Sequence, residues 1–388
     1  MDELLAKIHK QWGKPAHCEH CLGEEDLHTC SECASVYCSA KCQEMKDTCQ
    51  LIGVKTRKRD RSPEKEEKPI SLTKDAMSVV LQFLELEDLK NVSLASRKMT
   101  QLARQAMINN YTWDYTPEMM QKIRPKMIVV RSEWFEQYLE DPNIFETNLI
   151  THVHFELDNL HIGNLMKVPD SIESVVFSNV TADIIDLSGN TYLTEVDFEE
   201  TEEHEDGFNG ILLLPSSVTH LDLGPGFNQP IGLPPNLNYL GFNEGIFNSV
   251  FNQPFPEGLP STLKQLHLGG DYNQLLNLPR GLEIFHMGAD FNQPVQLPDG
   301  LRQFIMGHDF NQPIHIPNSV EWLVFGASFN QPNIVLPSNL RSFSSYSIID
   351  GLYTFPCEVE TIRIRQDSTC EIVILPGTSY KRTRIIRF

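Results

Sequence analysis

No stretch of the 388-residue chain approaches eighteen consecutive apolar residues, so no membrane-spanning helix is expected. The start, Met1-Asp2-Glu3, lacks the basic and apolar segments of a secretory signal, which gives a cytoplasmic expectation. Positive charge is scarce. The 32 Lys and Arg stand against 52 Asp and Glu, and a net charge of −20 argues against general nucleic-acid binding and favours solubility. After Cys49 only Cys357 and Cys370 remain, and both read as buried structural thiols. No glycine loop followed by Lys stands behind a strand to cradle a phosphate, and no catalytic constellation emerges. The chain is therefore not expected to be an enzyme.

What the chain does have is a recurring phrase. Phe-Asn-Gln-Pro begins at Phe227, Phe251, Phe291, Phe310 and Phe329, with a variant at Tyr272 and a Phe208-Asn209 start before them. From Tyr272 to Phe329 each step is nineteen residues, a period that means stacked structural units. Apolar-Pro pairs recur from Leu214-Pro215 to Leu375-Pro376, and three residues after most prolines comes L-x-x-L-x-L. Leu263/Leu266/Leu268, Leu282/Phe285/Met287, Leu301/Phe304/Met306 and Val320/Leu323/Phe325 show it; degenerate copies start at Ile150 and a late one is Val359/Ile362/Ile364. The last two apolar positions alternate as a strand requires. This predicts about ten or eleven coils over 148–388.

In each coil the strand residues point into the stack, and the Asn amide satisfies backbone groups of a neighbouring coil. The Phe stacks on the Phe one coil along. Proline stops pairing and sets an extended return path, since nineteen residues leave little room for a helix there. The pattern resembles the FNIP repeats, a branch of the leucine-rich-repeat superfamily found in social amoebae and giant DNA viruses. The resemblance implies a leucine-rich-repeat-like parallel β-solenoid with a concave face that binds a protein target.

Seven of the nine cysteines lie between Cys18 and Cys49, a clustering that reads as metal binding in a reducing compartment. Two C-x-x-C knuckles, Cys18/Cys21 and Cys30/Cys33, precede a third pair, Cys38/Cys42. Four thiolates make a closed tetrahedral zinc site. The stretch Tyr37-Cys38-Ser39-Ala40-Lys41-Cys42-Gln43 resembles the core of a MYND-type zinc finger. That resemblance implies one zinc on Cys18, Cys21, Cys38 and Cys42. A second would start on Cys30 and Cys33, with Cys49 near the family's His position and His28 or a water to complete it. One or two zinc ions are expected over 1–52.

A charged linker, 53–68, follows; its basic run from Lys55 to Arg61 also admits a nuclear-localisation reading. If the chain is viral, the cytoplasm is the host's. Thr73 can N-cap a helix, and Ala76, Val80, Leu81 and Leu84 recur at helical spacing, with a second apolar set from Leu89. Leu72, Asp75, Val80-Leu81, Phe83-Leu84, Asp88-Leu89 and Leu94-Ala95-Ser96-Arg97 resemble an F-box. This implies docking on a Skp1-type adaptor of a cullin ubiquitin ligase, with Leu84 and Leu89 as exposed docking residues. The plainer reading is a helical cap. Helices are expected over 104–147, around Trp113, Trp134 and Phe135, shielding the solenoid's end. The whole is thus a multidomain α+β chain: finger, helical module over 69–147, solenoid.

The layout predicts an interaction adaptor, a ligase substrate receptor or a scaffold with no ubiquitin role. A RING-like finger that recruits a conjugating enzyme is the rival reading, and it needs a third-pair histidine and a later C-x-x-C, neither of which the chain has. Strand alternation assigns the binding face to Tyr239, His267, His286, Ile305, Trp322, Val324 and Arg363. His286 is expected to titrate near pH 6.5.

Overall fold

Each L-x-x-L-x-L segment becomes, in the computed structural model, one rung of a long parallel sheet. The structure describes residues 27–29, 36–38, 81, 84, 89 and 97–388, apart from 148, 158–161, 163–167, 200–206, 243–248 and 377–382. The chain forms two compact units, Met1–Tyr111 and Thr112–Phe388.

In the first unit, β1 (Leu27–Thr29) and β2 (Val36–Cys38) form an antiparallel hairpin that flanks Cys30 and Cys33 in sequence. Otherwise the cysteine ligands and the linker lie outside the described residues. Helix α1 (Arg97–Asn110) carries Leu102, Ala103 and Ala106 on one face. They pack with Leu81, Leu84 and Leu89 into a small core, partly covered by Met107 and Tyr111. The Tyr111 hydroxyl bonds the Leu84 carbonyl.

The second unit begins with β3 (Thr112–Asp114), helix α2 (Pro117–Lys122), β4 (Met127–Arg131) and helices α3 (Phe135–Glu140) and α4 (Pro142–Phe145). Then come β5 (His152–Glu156), β6 (Ser174–Ser178), β7 (Ile184–Asp186), β8 (Glu195–Glu199), β9 (Ile211–Leu213) and β10 (His220–Asp222). The central coils contribute β11 (Tyr239–Gly241), β12 (Gln265–His267), β13 (Ile284–His286), β14 (Gln303–Ile305) and β15 (Trp322–Phe325). The last are β16 (Ser342–Ser345), β17 (Leu352–Phe355), β18 (Thr361–Ile364), β19 (Glu371–Ile374) and β20 (Arg384–Arg387).

Fourteen of these strands make one sheet, ordered β20-β18-β16-β15-β14-β13-β12-β11-β10-β8-β6-β5-β4-β3. Among the described residues the return side pairs β7 with β9 and β17 with β19. Among the described residues between Pro225 and Val335 it carries no helix, as a nineteen-residue coil requires.

Both ends of the array depart from the sequence expectation. β3 and β4 join the sheet ahead of residue 148, where helices alone were expected, and Trp113 lies on a strand. β20 adds a coil at the other end. These segments are β-formers, as Met127-Ile128-Val129-Val130 shows; β3 and β4 have neither the Leu-Pro nor the Phe-Asn mark of the regular coils, and β20 follows Leu375-Pro376 but has no Phe-Asn. Helices α3 and α4 do shield core: Phe135, Tyr138 and Ile144 are buried, and Tyr138 meets Phe155 edge-on at 5.4 Å. Asp141 caps α4 through the Asn143 N–H and accepts from Tyr115 Oη at 3.0 Å.

Register aligns like with like. Leu266, Phe285, Phe304, Leu323 and Phe343 sit side by side on successive strands, all fully buried. Each such side chain contributes about 1.5–3 kcal/mol by leaving water. The prolines have a further use. Pro260, Pro279, Pro298 and Pro317 each accept, through the carbonyl, the N–H of the first apolar residue three positions on, closing the turn into the strand.

Two columns run along the array. Rings stack without interruption from Phe155 through Phe177, Phe198, Phe208, Phe227, Phe251, Tyr272, Phe291 and Phe310 to Phe329, with centroids 4.8–6.3 Å apart. Between Phe198 and Phe208 the column passes from the strand position to the Phe-Asn position. Beside it runs an amide ladder. Asn209, Asn228, Asn252, Asn273, Asn292 and Asn311 each accept, on Oδ1, the backbone N–H of the Asn one coil on, at 2.9–3.0 Å. The Gln after that next Asn donates Nε2 to the same oxygen at 3.0–3.2 Å. Asn and Gln thus work as one unit across neighbouring coils, a role the sequence suggests for Asn only.

Candidate functional site

The strands' other face is open to solvent. Its side chains form two rows in register. One row runs Glu195, His220, Tyr239, Gln265, Ile284, Gln303, Trp322, Ser342, Thr361. In the other, Asp197, Asp222 and Gly241 are in register, and farther along so are His267, His286, Ile305, Val324, Ser344 and Arg363. The alternation places these residues as the sequence predicts, with one difference of burial. Trp322 is 49% exposed and Arg363 is exposed, but Val324 is only 8% exposed. Its short side chain lies between Ile305 and Ser344 on the paired strands, so it adds little to the face. Tyr239, His267, His286 and Ile305 are half-buried.

Adjacent rings make a ladder across four strands, which Gln303 continues onto a fifth. His220 lies flat on Tyr239, with centroids 4.1 Å apart and planes 3° from parallel. Tyr239 meets His267 at 5.2 Å, and His267 meets His286 at 4.1 Å. Gln303 Nε2 stands 2.7 Å from His286 Nε2. An amide nitrogen only donates, so His286 Nε2 accepts and the ring is neutral. Burial, with the neighbouring His267, lowers the His286 pKa to about 4. The expected titration near pH 6.5 is therefore corrected. A ring sandwiched on the array loses the water that would stabilise its charge.

Toward β8 the face turns acidic. His220 Nε2 is 3.3 Å from Asp197 Oδ1, with Glu195 and Asp222 near. Burial alone would lower the His220 pKa; contact with Asp197 and the charges of Asp197, Glu195 and Asp222 outweigh it and raise the value. Tyr239 Oη donates to Asp222 Oδ2 at 2.9 Å. Glu195 and His220 were missed in the sequence reading because their row was followed only from Tyr239 onward. The signal was there in Glu195-Val196-Asp197 and His220-Leu221-Asp222, which share one strand position.

On β5, β6 and β8, His154 Nε2 is 2.7 Å from Ser178 Oγ, which in turn donates to Glu199 Oε2 at 3.2 Å. Here the hydroxyl lies between imidazole and carboxylate. A nucleophile relay needs the imidazole in the middle.

Leu84 and Leu89 are 4% and 0% exposed. The expectation of two exposed docking residues is corrected: with α1 they fill the first unit's own core. Among the metal ligands expected from sequence, Cys38 ends β2, and Cys18, Cys21, Cys30, Cys33, Cys42 and Cys49 lie outside the described residues.

Three segments, 208–245, 251–284 and 310–344, match the FNIP Repeat family. No curated protein matches the chain in sequence. Among solved structures the chain is similar to CroV588, described as a novel circular LRR protein, at 23% identity and TM-score 0.39, over 62% of this chain and 43% of that one. It is also similar to YopM from Yersinia enterocolitica WA-314, at 16% identity and TM-score 0.43, over 62% of this chain and 52% of that one. The matched region spans about half of each of those chains.

Proposed function

We propose that this chain is a non-enzymatic interaction adaptor whose open strand face binds a protein target. The observation that carries this reading is Trp322, half exposed on a flat row of strand residues beside Gln303 and Ser342. Solvation does not explain an exposed Trp on a regular sheet, and binding energy concentrates on such aromatic anchors. Ile284 and Ile305 extend the apolar area by two strands, and Arg363 adds charge beyond it. The test is affinity capture by the full chain with Trp322→Ala in parallel. The substitution should weaken target binding by about 1–3 kcal/mol while circular dichroism stays unchanged. Undiminished capture by Trp322→Ala rejects this face.

Within this role, residues 72–103 support a receptor function in a Skp1-cullin-F-box ubiquitin ligase through their F-box-like sequence. Burial of Leu84 and Leu89 favours the second reading, a scaffold with no ubiquitin role. Alanine at either residue would test the core rather than docking. The deciding experiment is co-purification of the intact chain with a Skp1 homologue; failure to associate leaves the scaffold. The thiolate set of residues 1–52 suits structural zinc, which would cross-link a segment with little apolar core.

A further inference from the structure

We propose that Glu195, Asp197 and His220 form a site for a divalent transition-metal ion on the strand face. β8 and β10 are adjacent and parallel, with His220 opposite Glu195 and Asp222 opposite Asp197. Val196 and Leu221 point into the core, so the three candidate ligands emerge on the same side. One donor atom from each lies within 4.8 Å of the others. Donors to one ion, each at about 2.0–2.2 Å from it, are spread over a distance of this order.

The burial of one donor atom is the second observation. Asp197 Oδ1 is shut off from solvent, with His220 Nε2 3.3 Å away. A carboxylate oxygen away from water gains from positive charge beside it, and a cation among the three donors would supply that charge.

The surroundings hold the arrangement in place. The Tyr239 ring lies flat on His220 and fixes its plane, while its hydroxyl is tied to Asp222. Gly241 makes room for that tie: a Cβ there would stand 2.5 Å from Asp222 Oδ2 and 2.6 Å from Tyr239 Oη. Asp197 and Asp222 are directly opposed like charges, which destabilises a sheet unless positive charge compensates. One imidazole and two carboxylates suit zinc or manganese, and three protein ligands leave positions open to water. The set has no thiolate, so a probe that avoids sulfur distinguishes it from the cysteine-rich segment.

The experiment titrates the intact chain, purified without added zinc and passed over a weak chelator so that only thiolate-held zinc remains, with Mn(II), which zinc would otherwise outcompete at the imidazole–carboxylate set. Free Mn(II) is followed by electron paramagnetic resonance and bound Mn(II) by its pulsed spectrum. One Mn(II) per chain should bind with a ¹⁴N coupling from imidazole. His220→Phe, which keeps the stack on Tyr239, should remove that coupling. Asp197→Asn should weaken binding about tenfold or more. Glu283→Gln, an acidic loss elsewhere, should change nothing. Absence of binding, a bound spectrum without ¹⁴N coupling, or equal binding by wild type and both ligand variants overturns the proposal.

Discussion

Tyr272 stands where six other coils have Phe. Its ring keeps the stack, 5.9 Å from Phe251 and 6.2 Å from Phe291, but its hydroxyl is buried with no hydrogen-bond partner among the described residues. Burial accordingly pushes the phenol pKa up. Tyr272→Phe should therefore stabilise the array by about 1 kcal/mol, read as a higher urea midpoint at unchanged slope. A fall in the midpoint would show that the hydroxyl is satisfied. His286 acts through pH. Its folded pKa of about 4 lies below the ordinary 6.5. Between those values the unfolded chain takes up a proton and the folded chain does not, so stability falls as pH falls through that window. It is fully present above about pH 6.5 and stops changing on this account below about pH 4. His286→Gln should flatten that part of the profile in urea unfolding from pH 7.5 to 4.5; identical slopes would remove His286 from the explanation.

At the scale of the coil, the nineteen-residue period, the strand alternation, the ring stack and the Asn contact were all legible in the sequence, because each repeats with fixed chemistry. The exposure of Trp322 was legible because side chains on a strand alternate. The burial of Val324 was not, since it depends on the height of its neighbours on other strands. β3 and β4 were hidden because their segments lack the Leu-Pro and Phe-Asn marks, and β20 because it follows Leu375-Pro376 without a Phe-Asn and has a neighbour on one side only. The glycine column was visible but unread. A Cβ on Gly288, Gly307 or Gly326 would stand 1.8–1.9 Å from the carbonyl oxygen of the glycine one coil before, so coils touch backbone to backbone there. The amide ladder gives the sharper test. Asn292 Oδ1 accepts two hydrogen bonds, from the Asn311 N–H and from Gln312 Nε2. Asn292→Ala should cost about 1–3 kcal/mol and speed hydrogen exchange at the Asn311 amide. Protection at Asn311 equal to wild type would show that the ladder is ornamental.

Across the whole molecule the parts depend on different forces. The second unit has a continuous apolar core from Tyr115 to Cys370, whereas the core of the first is six buried residues among those described. We expect the segment with the cysteines, polar in sequence, to rely on metal to fold. Metal analysis of the reduced chain should find one to two zinc per chain from residues 1–52, with Cys21→Ser losing more than Cys49→Ser. A value near zero in the reduced protein would refute the finger.

The amide ladder has one more consequence. Each rung grips the next in the same way, so a rung carries no information about its place in the line. Removing residues 291–309 would bring Phe310 into the slot of Phe291 and offer the Asn311 N–H to Asn273 Oδ1. β15 would then lie against β13, and Trp322 would move about 4.8 Å nearer to the acidic end at β8. The face is therefore a ruler with discrete graduations. Duplication or loss of one coding unit would change the spacing between its charged end and its aromatic end by one graduation, without altering a single contact type in the core.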